Sequence, residues 1–157
     1  MANEWTLGLA SGKALDHAGV TRLIEALEGG DAEPLRELMA VVVNAIETAN
    51  SNFFRFEIET AVDEAEPVAL RLTPTVDSHQ CGLGLSREDS TRKLVALVVL
   101  SVEGDGVELV LDGQERPTDA VPGSVVMFPA YCNLRVTGPD HSAVEVAACH
   151  AFGPAFR

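Results

Sequence analysis

Residues 94–102, LVALVVLSV, carry hydrocarbon at every position but Ser101. A run this short, rich in β-branched side chains and apolar on both faces, reads as a fully buried strand. Such a strand cannot face water on either side. It belongs at the centre of a sheet that is covered on both faces, and the rest of the chain has to supply the two covers.

One cover is legible before this strand. Asp16 caps a helix running to about Leu27, with Val20, Leu23, Ile24 and Leu27 on one face and Gly29–Gly30 ending it. Asp31 opens a second helix, in which Pro34 is tolerated in the first turn. Leu35, Leu38, Met39, Val42 and Ile46 form its apolar stripe, and Asn50–Asn52 ends it. The remainder reads as short strands between Gly and Pro turns. Phe54, Phe56 and Ile58 alternate with Arg55, Glu57 and Glu59, the period of a half-buried strand. Val68–Thr73, Val107–Leu111, Ser124–Phe128, Asn133–Thr137 and Ala143–Phe152 bring the expected strands to seven. Helices followed by many strands predict an α+β, mainly β architecture, with two N-terminal helices backing a sandwich or barrel. No linker or repeat divides the 157 residues, so one domain is expected, with 1–50 as a helical support layer and 51–157 as the β core.

Charge excludes some functions. The net charge is −13, and residues 1–66 hold 13 of the 24 acids against 4 of the 11 bases. Nucleic-acid binding needs a basic footprint, as does an anionic membrane surface, so neither partner is expected. No apolar run approaches a membrane span, and the opening MANEWTLGLASG lacks a basic-then-apolar leader. A cytoplasmic location is the expectation. Cys81, Cys132 and Cys149 show no CxxC spacing and are read as reduced thiols in or near the core.

The segment 122–136, PGSVVMFPAYCNLRV, joins two of the strands through a turn opened by Pro129. It resembles the P-x-G-x-L-V-x-F-P-S-x-x-L-H-x-V stretch of prolyl-4-hydroxylase-like iron(II)/2-oxoglutarate dioxygenases, notably the PKHD-type branch. Gly123, Phe128, Pro129, Arg135 and Val136 carry the match. Further anchors follow in order: Asn52–Ile58, Leu72–Thr73, Arg92-Lys93-Leu94, the Gly106–Leu111 segment and the ending Gly153–Arg157. The resemblance covers about residues 50–157 and implies a double-stranded β-helix core, the jelly-roll of cupin-like proteins.

What that family needs for catalysis is a His-x-Asp pair, a distant His and a basic residue that clamps 2-oxoglutarate. Counted from the anchors, these positions fall on Gly84, Ser86, Leu134 and Val144. None offers the required group. The resemblance therefore implies a degenerate site with no metal and no cofactor. A five-residue gap would instead place His79 and Cys81 at the His-x-Asp spacing, as a half-site for iron or zinc. His150 falls where the family has an aromatic residue near the cosubstrate, and strand alternation would put it on the face of Val144, Val146 and Ala148. His150 and His79 are thus the candidate titrating groups, with Gln80, Cys132 and Asn133 as candidate pocket residues.

Two functions are compatible with this. The first is a pseudoenzyme that serves as an accessory or stabilising subunit, either in a hetero-oligomer with an enzyme of small-molecule metabolism or as a homodimer. The second is a non-oxidative enzyme (elimination, cyclisation or isomerisation) in which His150 or His79 acts as acid–base. An oxygenase with a non-standard metal site is a remote third.

Overall fold

A computed structural model describes residues 10–13, 15–29, 32–59, 61, 67–84, 91–112 and 117–154. In chain order the elements are β1 (Ala10–Lys13), α1 (His17–Gly29), α2 (Ala32–Ala49), β2 (Val68–Leu72), β3 (Arg92–Glu103), β4 (Glu108–Leu111), β5 (Thr118–Asp119), β6 (Ser124–Pro129), β7 (Leu134–Thr137) and β8 (Ala143–Phe152). The strands form an antiparallel five-stranded sheet in the order β1-β6-β3-β8-β2 and a three-stranded sheet in the order β5-β4-β7.

The apolar run sits where its composition requires. β3 is the middle strand of the larger sheet, and Leu94–Val99 are wholly buried. Its two faces feed two cores. Leu94, Ala96 and Val98, with Met127, Ala147 and Cys149, pack toward Val20 and Leu23 of α1 and Val42 and Ile46 of α2. Val95, Leu97 and Val99, with Val126, Phe128 and Val146, pack toward Leu109, Leu111, Leu134 and Val136 of the smaller sheet. Truncating any one of these leucines to alanine removes roughly 2–5 kcal/mol, comparable to the whole margin of stability of such a domain.

β3 holds its pattern through two irregularities. Its register against β8 shifts between Arg92 and Leu94 and again between Val99 and Ser101. The second shift inserts Leu100 as an extra residue, so Leu100 and Ser101 both turn toward the helix side while Val102 joins the inner core. Strict alternation would have pointed the Ser101 hydroxyl into that core; instead it donates to Glu145 at 3.4 Å.

The segment after α2 departs from expectation. Residues 54–58 were expected as a strand, but Asn50–Phe54 continues α2 as a π-helical turn, and Arg55 takes a left-handed conformation with φ 54°. The reason is Asn50. Its side-chain amide donates to the Phe56 carbonyl at 2.9 Å and accepts the Phe56 N–H at 2.8 Å, giving that residue the pairing a neighbouring strand would give. Phe54, Phe56 and Ile58 still pack on the helix-side core, as their spacing predicts, without a ladder. β1 and β5 were not expected. The Asp16 cap is present, with its carboxylate accepting the Gly19 N–H at 2.8 Å. Asp31, the loop at 63–66 and the terminal 155–157 of the resemblance lie outside the described residues.

Candidate functional site

The chain between β2 and β3 carries the candidate residues His79, Gln80, Cys81, Gly84 and Ser86. It leaves β2 through a tight turn at 73–76, then forms a single helical turn from Asp77 to Gly82. The turn exists because of a reciprocal cap. Asp77 accepts the Gln80 N–H at 2.9 Å, and the Gln80 side-chain oxygen accepts the Asp77 N–H at 2.9 Å. Gln80, expected as a pocket residue, is instead exposed and spent on this cap.

Asn133 fastens the turn to the smaller sheet. Its side-chain oxygen accepts the buried Ser78 hydroxyl at 3.0 Å and the His79 N–H at 3.1 Å. The Ser78 oxygen in turn accepts the Leu134 N–H at 2.8 Å, and the Ser78 N–H donates to the Leu134 carbonyl at 2.9 Å. The Gln80 amide and the Asn133 side chain together hold the Asp77 carboxyl below the usual carboxylate range.

His79 reaches back across the same junction. Its Nε2 lies 2.8 Å from the Cys132 carbonyl, which only accepts, so Nε2 carries the proton. The ring lies against the Cα of Gly84. Cys81 and Cys132 flank the inner core, and burial pushes both thiols up from their ordinary range. They are free thiols, as expected. Among the described residues, no group of three or more His, Cys, Asp or Glu side chains is arranged to hold a metal ion.

His150 comes from β8. It pairs with Val95 and shares the inner face with Val144, Val146 and Ala148, as alternation predicts. It is 2% exposed, and its Nε2 donates to the Leu83 carbonyl at 3.0 Å. Beside it, Nη1 of Arg92 donates to the carbonyls of Gly82 at 2.7 Å and Gly84 at 3.0 Å. Three successive main-chain carbonyls thus face two basic side chains. Leu83 itself is buried in the inner core. Sequence reasoning missed both Leu83 and Arg92 as parts of this site: Arg92 stands out only as an anchor of the resemblance, and nothing local marks Leu83. The Asp-x-x-Gln pattern of the cap was readable.

The remaining candidate positions are apolar or lie beyond description. Leu134 opens β7 and Val144 lies near the start of β8; both are fully buried in the inner core. Gly84 has no side chain, and Ser86 lies outside the described residues. A facial triad needs three nitrogen or oxygen donors converging on open coordination sites. Gly84, Leu134 and Val144 carry no side-chain nitrogen or oxygen that could serve as such a donor. A shallow cleft of about 260 Å³ lies elsewhere, lined by Ala69, Leu70, Arg71, Leu100, Glu145 and Val146. Arg71 crosses it to Glu103 and Glu145 at 3.2 and 3.3 Å.

The two sheets and their helical backing are those of the prolyl hydroxylases, the double-stranded β-helix of iron/2-oxoglutarate dioxygenases. The chain superposes on a prolyl-4-hydroxylase from Pseudomonas putida with a TM-score of 0.61 at 19% identity, over 93% of this chain and 89% of that one. A viral collagen prolyl hydroxylase from Paramecium bursaria Chlorella virus-1 gives 0.61 at 11% identity, over 93% and 96%. A prolyl 4-hydroxylase from Phytophthora capsici gives 0.60 at 17% identity, over 93% of this chain and 59% of that one. At these identities the likeness is one of fold. No protein-family model matches the sequence, and no curated protein matches it. No helix is long and apolar enough to cross a membrane among the described residues.

Proposed function

We propose that this chain is a pseudoenzyme on the dioxygenase fold, acting without iron or 2-oxoglutarate as an accessory or stabilising subunit of an enzyme of small-molecule metabolism. The observation that carries the reading is the closed junction between the 77–84 turn and the start of β7. On the resemblance, the metal-ligand positions fall on Gly84, at the end of this turn, on Ser86 beyond it and on Leu134 at the start of β7. Here Ser78, His79 and Asn133 join the turn to β7 by hydrogen bonds, while Leu134 and Val144 contribute only hydrocarbon. Hydrocarbon cannot repay the desolvation of a metal ion or a dicarboxylate.

The acid–base reading has no observation in its favour. His79 and His150 each engage a main-chain carbonyl through Nε2, and the Gln80 side chain is held in its cap. The test is isolation of the tagged full chain from its own host under non-denaturing conditions, with subunit stoichiometry and metal content measured together. A stoichiometric complex with an enzyme, and no iron bound to this subunit, supports the proposal. A free chain carrying iron at unit stoichiometry contradicts it.

A further inference from the structure

β2 ends the larger sheet: β8 lies on one flank of it and, among the described residues, no strand lies on the other. Val68, Ala69, Leu70 and Leu72 are hydrocarbon, yet Val68 is 44% exposed, Ala69 is exposed and Leu70 is half-buried. Open sheet edges are commonly guarded by charged side chains or proline. Here Pro67 stands just before the strand, and its one charge is drawn back over the sheet: Arg71 reaches Glu145 of β8 at 3.3 Å and Glu103 of β3 at 3.2 Å. The Arg71 end is also occupied, since its carbonyl takes the Cys81 thiol at 3.9 Å and Thr73 pairs with Val76. The open stretch is therefore Val68–Leu70. Beside it lies the cleft of about 260 Å³, apolar at Ala69, Leu70, Leu100 and Val146 and charged at Arg71 and Glu145. Two carboxylates share one guanidinium there, which leaves one net negative charge on a chain whose total is −13.

We infer that this edge is the docking site for an extended segment of the partner protein, with a lysine or arginine opposite Ala69 and an apolar residue on either side of it. The inference rests on the accessory role and names where the partner is held. Side chains alternate along a strand, so a residue opposite Ala69 shares the face of Arg71 and Glu145, and its neighbours share the face of Val68 and Leu70. Alanine leaves room for a long side chain to lie over it, with its stem along the apolar lining of the cleft and its charge at Glu145. The flanking apolar residues cover Val68 and Leu70, and main-chain bonds along the edge set the register. An acidic segment would meet the net negative charge instead. A second copy of β2 fits less well. Paired antiparallel about Leu70 it sets Arg71 opposite Ala69, but that guanidinium is already held on its own sheet by Glu103 and Glu145.

The experiment titrates the capped peptide Thr-Val-Lys-Val-Thr into the full chain and follows the backbone amides of residues 68–72 and 145–146 by NMR. The same peptide with glutamate in place of lysine is the control. Saturable shifts confined to these amides are expected with the lysine peptide, and they should weaken as salt is raised. The glutamate peptide should bind about tenfold more weakly or worse, and Glu145→Lys should weaken the lysine peptide by a similar factor. Ala69→Arg, which supplies the cleft with a cation of its own, should abolish the shifts. Both substitutions are at exposed positions and leave the core intact. The inference is overturned by an absence of saturable shifts, by equal binding of the two peptides, or by undiminished binding to the Glu145→Lys protein. In the complex isolated from the host, Glu145→Lys and Ala69→Arg should each release the partner. A complex that survives both substitutions overturns the docking site and leaves the accessory role standing. A wild-type chain isolated without a partner contradicts the accessory role, and the peptide titration then decides the site by itself.

Discussion

The imidazole of His79 stands where a side chain on Gly84 would project: a Cβ at position 84 would lie 2.5 Å from Cδ2 and 2.8 Å from Nε2 of that ring. The two residues therefore cannot be exchanged independently. Gly84→Ala should push the ring off the Cys132 carbonyl and cost about 1–2 kcal/mol in urea denaturation. In a His79→Ala background the same substitution should cost close to nothing. That coupling is what a double-mutant cycle measures. Equal costs in the two backgrounds would mean that the ring does not occupy this space.

The cap on the 77–82 turn has an acid limit. The Asp77 carboxyl is held below its unfolded range, chiefly by the Gln80 N–H and then by the Asn133 side chain. A depressed carboxyl contributes stability that is fully present above the unfolded value and is lost as pH falls through the folded one. The stability difference between wild type and Asp77→Asn should accordingly be flat above about pH 5 and shrink below about pH 4. Unfolding midpoints at a series of pH values check this, and a difference that grows on acidification would contradict it.

Ser142 has the opposite character. Its hydroxyl is buried without a hydrogen-bond partner, pressed between the turns at Gly104 and Gly138. Ser142→Ala removes an unsatisfied polar group and should be neutral or stabilising by up to about 1 kcal/mol. Gly104→Ala adds a Cβ 2.7 Å from that hydroxyl at φ +108°, and should destabilise clearly. Thermal midpoints of the two variants should move apart.

The cysteines should be poor nucleophiles. Burial raises the Cys81 and Cys132 thiols, with Asp77 and Asp112 adding smaller contributions, and Cys149 is fully buried. Thiolate is the reactive form. Alkylation of the folded chain by iodoacetamide near neutral pH should therefore run well below that of a free thiol and rise toward alkaline pH. Peptide mass spectrometry gives the rate at each site.

Much of the architecture was legible because it follows from where hydrocarbon can go. The apolar run of β3, the helical stripes led by Leu23 and Ile46, and the alternation of Val144, Val146, Ala148 and His150 each define a face by residue type alone. The failures have local causes. Phe54–Ile58 carries a strand period but no strand, because the Asn50 amide satisfies Phe56 from six residues away, and no periodicity reports such a bond. β1 and β5 are four and two residues long, too short to signal themselves. At the candidate site, strand alternation reveals which face His150 takes but not its partner. The Leu83 carbonyl lies 67 residues away along the chain, and only the folded topology brings the two together.

The most direct measurement of the central claim is oxygenase turnover. The purified full chain is incubated aerobically with ferrous iron, ascorbate and labelled 2-oxoglutarate, and succinate and retained iron are quantified against a working prolyl hydroxylase. An interior with hydrocarbon at Leu134 and Val144, and a junction already bonded through Ser78, His79 and Asn133, predicts succinate at the level of the iron-only blank and no iron retained after desalting. Catalytic succinate release accompanied by one bound iron per chain would contradict it.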